Sequence, residues 1–147
     1  MSHPRILGMD FGEKRVGLAI SDSLGLTSQP LGLIERRSDE QLLDEMGGII
    51  REHSVQLLLV GHPVGLSNRD TTRAKRTRKL VKFLRNNLEI PVETWDERLS
   101  TTQANRILNE METKPSRKMK KRDVIAAQII LQAYLDHRNL KRSLSHD

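Results

Sequence analysis

Residues 6–21 read Ile-Leu-Gly-Met-Asp-Phe-Gly-Glu-Lys-Arg-Val-Gly-Leu-Ala-Ile-Ser, and this stretch decides the fold. Two short apolar runs, 6–11 and 15–21, flank Gly12-Glu13-Lys14, a connection of hairpin length that contains a glycine. The pattern predicts an antiparallel hairpin at the start of a sheet. One residue breaks it. Asp10 ends the apolar run 6–9, where a carboxylate is costly to bury without a cation or hydrogen-bond donors. An exposed strand end or turn accounts for an acid there equally well.

Working outward, residues 27–34 read as a third strand, with Pro30 marking an edge position or a bulge. Residues 39–52 carry Leu42, Leu43, Met46, Ile49 and Ile50 at helical spacing, weakened by Gly47-Gly48. Residues 55–60, Val-Gln-Leu-Leu-Leu-Val, form a buried-strand run closed by Gly61 and Pro63. A helix is expected over 71–88, with Thr77, Leu80, Val81, Leu84 and Leu88 on one side, and a strand over 91–95. Ser100-Thr101-Thr102-Gln103 has the form of a capping box and opens another helix. Residues 113–121 are polar, basic and interrupted by Pro115, which predicts a mobile loop. The last helix is expected over 122–138, followed by a disordered tail over 139–147. Three leading strands followed by alternating helices and strands make a single α/β domain over residues 1–138, a mixed five-stranded sheet flanked by helices.

Composition narrows the function. The chain has 147 residues, 25 of them Lys or Arg and 19 Asp or Glu, for a net charge of +6. That balance suggests an acidic partner, nucleic acid first. Cysteine is absent, which excludes disulfides, thiolate zinc sites and cysteine nucleophiles. Apolar runs fall far short of the ~18 residues of a membrane span. Met1-Ser2-His3-Pro4-Arg5 lacks the apolar region of a secretory signal, so a cytoplasmic location is expected. Aromatics make up 3% of the chain, which argues against base-stacking platforms.

Two further acids join Asp10. Glu97 follows the strand 91–95 at its C-terminal end, where open α/β sheets place ligand sites; loop polarity or pairing with Arg98 are its plain alternatives. Asp123, at about 100° per residue, falls with Ala127, Ile130 and Tyr134 on the apolar face of the last helix, while Gln128, Gln132 and Asp136 form a solvated stripe opposite. The helix macrodipole explains an acid near that N-terminus but not its direction. Three carboxylates converging from three elements, without imidazole or thiolate, suit Mg²⁺ or Mn²⁺. With a basic surface they point to two-metal phosphodiester hydrolysis.

The stretch Asp10-Phe11-Gly12-Glu13-Lys14-Arg15-Val16-Gly17 resembles the D-x-G-x-K-x-x-G opening of the YqgF (RuvX) family of RNase H-like proteins. Val60-Gly61-His62-Pro63 is similar to the family's V-G-x-P, and Asp96-Glu97-Arg98-Leu99-Ser100-Thr101 to its D-E-R-L-[ST]-T. Asp123 with Ala126-Ala127 and Ile129-Ile130-Leu131 resembles the closing helix. The resemblance implies an RNase H-like fold and Asp10, Glu97 and Asp123 as catalytic, metal-binding acids. The chain departs from the family at Gly65-Leu66-Ser67-Asn68-Arg69, where an Asn-Met-Asp/Asn-Gly-Thr loop is usual. His62 as a general base competes with a plain strand-end histidine.

Basic residues supply the expected nucleic-acid contacts. On helix 71–88, Lys75, Arg78, Lys79, Lys82 and Arg85 lie opposite the apolar stripe, as a solvated face would. Arg73 instead projects with the stripe near the V-G-x-P loop, and is the expected phosphate contact. Lys118, Lys120 and Lys121, just before Asp123, are expected to hold backbone phosphate. Lys14 in the hairpin and Arg98 beside Glu97 complete the set, Arg98 serving equally as a structural ion pair.

The resulting expectation is a metal-dependent nuclease that processes precursor 16S rRNA, as a monomer or weak homodimer, with Mg²⁺ or Mn²⁺ weakly bound without substrate. A Holliday-junction resolvase with the same chemistry, a non-catalytic RNA-binding ribosome-assembly factor, and an actin-like ATPase or sugar kinase are the rivals. The last would need two related domains around ATP.

Overall fold

The computed structural model describes residues 3–12, 14–63, 71–99 and 115–145. The expected hairpin is its first feature: β1 (Arg5–Phe11) pairs antiparallel with β2 (Arg15–Ser21), and Gly12 N–H donates to the Arg15 carbonyl at 2.9 Å to close the turn. β3 (Ser28–Glu35) adds antiparallel to β2 at the sheet edge. Leu18 faces Gly32 and Ala19 faces Pro30, so one residue is extra beside the proline. An edge strand with a register slip is where a residue lacking an N–H is tolerated.

α1 (Asp39–His53) then crosses to β4 (Val55–His62), which lies parallel to β1, and α2 (Thr72–Asn87) leads to β5 (Val92–Asp96), parallel to β4. The sheet order is β3-β2-β1-β4-β5, the mixed five-stranded sheet the sequence predicts. α1 keeps its two interior glycines because its ends are well made. Ser38 and Gln41 form a reciprocal capping box, and Ser54 closes the helix in the left-handed conformation at φ 53°. A cap is worth about 1 kcal/mol, comparable to the ~0.5–1 kcal/mol that each glycine costs.

The final helix, α3 (Pro115–Ser145), corrects two expectations. Residues 115–121 are helical rather than a loop. Pro115 opens the helix, a position where its missing N–H removes no bond and its fixed φ is already helical. Residues 139–145 continue the helix instead of forming a disordered tail. No Gly or Pro interrupts them, Asn139 Nδ2 donates to the Gly25 carbonyl at 3.0 Å, and Arg142 approaches His3 Nδ1 at 3.4 Å. The helix expected from Ser100 lies outside the described residues, as does the atypical 65–69 loop.

Strand alternation sorts the core into two layers. Leu7, Met9, Val16, Leu18, Leu58 and Val60 pack under α1 and α2. Ile6, Ala19 and Leu59 face the other way, against Ala127, Ile130, Leu131 and Leu135 of α3. By the same alternation Asp10 points to the α3 side. The stripe holding Gln132 is not merely solvated: Gln132 Oε1 accepts from Ser28 N–H and its Nε2 donates to the Leu26 carbonyl, both at 2.9 Å. These bonds pin α3 to the β2–β3 connection.

α2 is charged on one sign only. It carries seven Lys or Arg side chains and no acid. Lys75–Lys79 and Arg78–Lys82 are like-charged i,i+4 pairs, which destabilise a helix by about 0.2–0.5 kcal/mol each. Among the described residues no helix is long and apolar enough to cross a membrane.

Candidate active site

Asp10, in the interior of β1, is 5% exposed and faces Gly17 of β2 in register. The absence of a side chain at position 17 is what admits α3. A Cβ there would lie 1.9 Å from the Asp123 carbonyl oxygen. The start of the described face of α3 therefore rests directly on the β2 backbone, and Asp123 arrives next to Asp10. Glu97 opens a 3₁₀ turn, Glu97–Leu99, directly after β5. Its side chain folds back over Gly61 of β4, where a Cβ would lie 3.0 Å from Oε1 and 2.5 Å from Ile130 Cδ1. Two close backbone approaches thus bring acids from β1, the turn after β5 and α3 together at the C-terminal end of the central strand β1.

Arg73, in the first turn of α2, binds two of them. Its Nη2 donates to Asp10 Oδ1 at 3.1 Å and to Glu97 Oε1 at 3.3 Å, and its Nη1 donates to Glu97 Oε2 at 3.2 Å. Nη2 also reaches the Phe11 carbonyl at 3.5 Å. The guanidinium is the cation that a buried carboxylate needs. It does not neutralise the site. Burial holds the Asp10 carboxyl well above the usual carboxylate range, and a shared hydrogen bond with Glu97 and the charge of Glu97 push the same way, against Arg73. Asp123, half-buried, is also raised, first by burial and then by the charge of Asp10, with Arg15, Arg73 and Arg122 opposing.

The donor set fits a hard divalent cation in kind: carboxylates only, one of them buried and short of positive charge. Its arrangement is presently that of Arg73. Among the described residues no three acids or imidazoles stand close enough to share one ion. Arg73 Nη2 holds Asp10 and Glu97 side by side, and the charge of Asp10 acts on Asp123.

Known proteins match nearly the whole chain. The model of the RuvX family, described as Holliday junction resolvase, matches residues 4–137. The chain belongs to the RuvX family. Membership places it among the nucleases, a class of hydrolase. A RuvX relative in Halothermothrix orenii is 41% identical over 135 residues, covering 92% of this chain and 96% of its own. Another in Symbiobacterium thermophilum is 46% identical over 134 residues, covering 91% and 93%. Both are provisionally named pre-16S rRNA nuclease. Among solved structures, RuvC of T. thermophilus in complex with a Holliday junction matches with TM-score 0.59 at 12% identity, over 92% of this chain and 96% of that one. The Fowlpox virus resolvase with its junction DNA matches with TM-score 0.55 at 11% identity, over 90% and 97%. These likenesses show the RNase H-like fold.

The motifs quoted above fall on the residues that bring the acids together: Gly17 closes the first, Gly61 sits in the second and Glu97 in the third. Sequence reasoning named the three acids and Arg73. It missed the two glycines, although both lie inside the motifs it quoted, and it missed that Arg73 holds the acids themselves. Arg98 forms a structural ion pair, one of its two expected roles. It grips Asp96, with Nη2 at 2.7 Å and Nε at 3.0 Å from Oδ2. Lys14 is exposed in the hairpin, and its carbonyl accepts from Arg36 N–H at 2.9 Å. Lys118, Lys120 and Lys121 belong to α3, within five residues of Asp123. His62 ends β4 on the α2 side of the sheet, opposite Asp96 in register, and so faces away from the acids.

Proposed function

We propose that this RuvX protein hydrolyses phosphodiester bonds of precursor 16S rRNA, using Asp10, Glu97 and Asp123 as the acids of a divalent-metal site. The observation that carries the reading is the buried Asp10 carboxyl, bridged to Glu97 by Arg73 at the C-terminal end of β1. Stability alone gives no reason to bury one carboxylate beside a second. Asp10 and Glu97 would hold the ion, Mg²⁺ or Mn²⁺, with Asp123 completing its protein ligands. When bound, the ion supplies a lowered pKa for the attacking water and a positive charge at the leaving oxygen.

The chain's own groups do the rest. Arg73 presents a guanidinium fork within reach of whatever lies between the acids, and is suited to a non-bridging phosphate oxygen by bidentate geometry. Lys118, Lys120 and Lys121, on the turns before Asp123, and Lys14 in the hairpin extend positive charge along a backbone. Arg98 holds Asp96 and acts as a brace for the Glu97 turn.

The names of the relatives support RNA, and the family's description supports four-way DNA. A direct comparison decides. The purified protein is given a fragment spanning the 5′ end of precursor 16S rRNA and a four-way DNA junction, each with Mn²⁺ and with chelator. RNA cleavage that requires the metal, with the junction left intact, is expected. Junction cleavage with intact RNA would transfer the same chemistry to DNA.

A further inference from the structure

Arg73 and Arg98 each hold carboxylates near the site, and they hold them differently. Arg98 meets Asp96 Oδ2 at 2.7 and 3.0 Å, close to the roughly 2.7–2.9 Å of a charge-assisted bond. The three bonds of Arg73 to Asp10 and Glu97 run from 3.1 to 3.3 Å. Its Nη2 carries two hydrogens and faces oxygens of Asp10, Glu97 and the Phe11 carbonyl within 3.5 Å. The bonds are therefore shared as well as long. The guanidinium also lies on the solvent side of the acids: the Arg73 side chain is 47% exposed, against 7% for Asp10 and 14% for Glu97. Directly beside it a pocket of about 280 Å³ opens between the end of β1 and the first turn of α2, lined by Phe11, Gly12, Thr72, Arg73 and Arg76. No acid is among these lining residues. Arg73 and Arg76 are i,i+3 neighbours and share one face of the helix. Arg73 thus stands between two acids on one side and a basic pocket on the other.

We propose that this pocket seats a phosphate of the RNA backbone, and that Arg73 exchanges between the acids and that phosphate. The inference rests on the nuclease reading above and deepens it: Arg73 is there a phosphate contact, and here its release from the acids is what substrate binding changes. A phosphodiester carries a full negative charge on two non-bridging oxygens, whose spacing matches the guanidinium fork. It competes with carboxylates that hold the same fork only through long, shared bonds. Arg76 adds a second positive charge to the wall on which the phosphate would lie. Movement of the guanidinium toward the pocket takes from Asp10 and Glu97 the cation that a buried carboxylate needs. Two neighbouring acids in that condition are open to a divalent ion. The free protein thus keeps a cation of its own between the acids, and the substrate draws it away. Arg73 is in this sense a positioning residue for the acids as well as a phosphate contact.

The test uses the full chain and the fragment spanning the 5′ end of precursor 16S rRNA, with chelator present throughout so that the RNA stays intact. Binding is followed by fluorescence anisotropy at about 0.15 M salt, where exposed charges act over about 8 Å. A double-mutant cycle compares wild type, Asp10→Asn, Arg73→Gln and both changes together, and a second cycle puts Glu97→Gln in place of Asp10→Asn. Melting curves verify that each variant is folded. If the acids hold Arg73 back from the phosphate, loosening their hold tightens RNA binding chiefly where Arg73 is present. We expect Asp10→Asn and Glu97→Gln each to tighten binding about tenfold with Arg73 in place, and less than about threefold in Arg73→Gln, where only plain repulsion is relieved. A gain of equal size in both backgrounds would mean that the acids merely repel RNA, and no gain would mean that Arg73 stays with them. Either result overturns the exchange and leaves the nuclease reading standing. The wild type supplies a second readout. The Arg73 Nε–H signal in nuclear magnetic resonance, assigned with Arg73→Lys, should shift when RNA is added to metal-free protein, and an unmoved signal would also overturn the exchange. RNA that binds none of these chains even at low salt would overturn the nuclease reading, and this inference with it.

Discussion

Replacing Gly17 by alanine tests how the site is assembled without touching any acid. A Cβ at position 17 would sit 1.9 Å from the Asp123 carbonyl oxygen, 2.3 Å from its carbonyl carbon and 2.9 Å from Val124 N. All three are backbone atoms, so no side chain can rotate out of the way. An ordinary C···O contact is about 3.3–3.6 Å, so the helix must retreat by about 1.4 Å at Asp123 or the hairpin must bend. Overpacking of this kind costs about 1–3 kcal/mol, which lowers the melting temperature by about 2–4 °C per kcal/mol for a chain of this size. The chemical step should suffer more than the fold. A displacement of about 1 Å at a reacting group costs on the order of 10²-fold. Gly17→Ala is therefore expected to fold, bind RNA with undiminished affinity and cleave about 100-fold more slowly, as read by single-turnover kinetics beside a melting curve. Wild-type melting and wild-type rate together would refute the contact between α3 and β2 as the device that places Asp123.

Other consequences can be checked singly. Because the folded pKa of Asp10 is raised, the native state binds a proton that the unfolded state has released. Metal-free protein should therefore lose stability as pH rises from the usual carboxylate range through the raised value. Asp10→Asn should flatten that part of the profile and be the more stable form at neutral pH, in denaturant titrations with chelator present; a parallel profile would show that burial does not govern Asp10. Arg73 competes with any divalent cation for Asp10 and Glu97, and its side chain is half exposed. Arg73→Gln should raise the Mn²⁺ affinity of nucleic-acid-free protein about tenfold by calorimetry, a discounted share of two charge-assisted bonds. Equal or weaker binding would show that Arg73 is part of the metal site's support. Gly48, inside α1, has open space where a Cβ would lie, so Gly48→Ala should stabilise the protein by about 0.5–1 kcal/mol without altering cleavage.

The parts of this molecule that were legible in its sequence are those governed by local pattern. The hairpin over residues 6–21, the buried strand β4 and the apolar face of α3 follow from periodicity and turn chemistry. The inward direction of Asp123 follows from helical geometry alone. What escaped depends on partners distant in the chain. Arg73 meets Asp10 across 63 positions and Glu97 across 24, and no spacing rule links such residues. Gln132 reads as surface until the β2–β3 connection folds over it. Arg85 reads as a solvated cation until β5 places the Val92 carbonyl within reach of its Nε. Pro115 was misleading because a proline that breaks a helix and one that begins it look alike without the bonds on either side. Gly17 and Gly61 are visible in their motifs, but the reason for them is the approach of another element.

The most direct trial of the central claim is single-turnover cleavage of the 5′ precursor 16S rRNA fragment, in saturating Mn²⁺, by the wild type and by Asp10→Asn, Glu97→Gln and Asp123→Asn. RNA affinity is measured on the same samples. Each acid repels phosphate unless a metal lies between them. The three changes should abolish cleavage while leaving affinity equal or higher. A variant that cleaves at the wild-type rate would remove its residue from the site, and undiminished cleavage by all three would contradict the account.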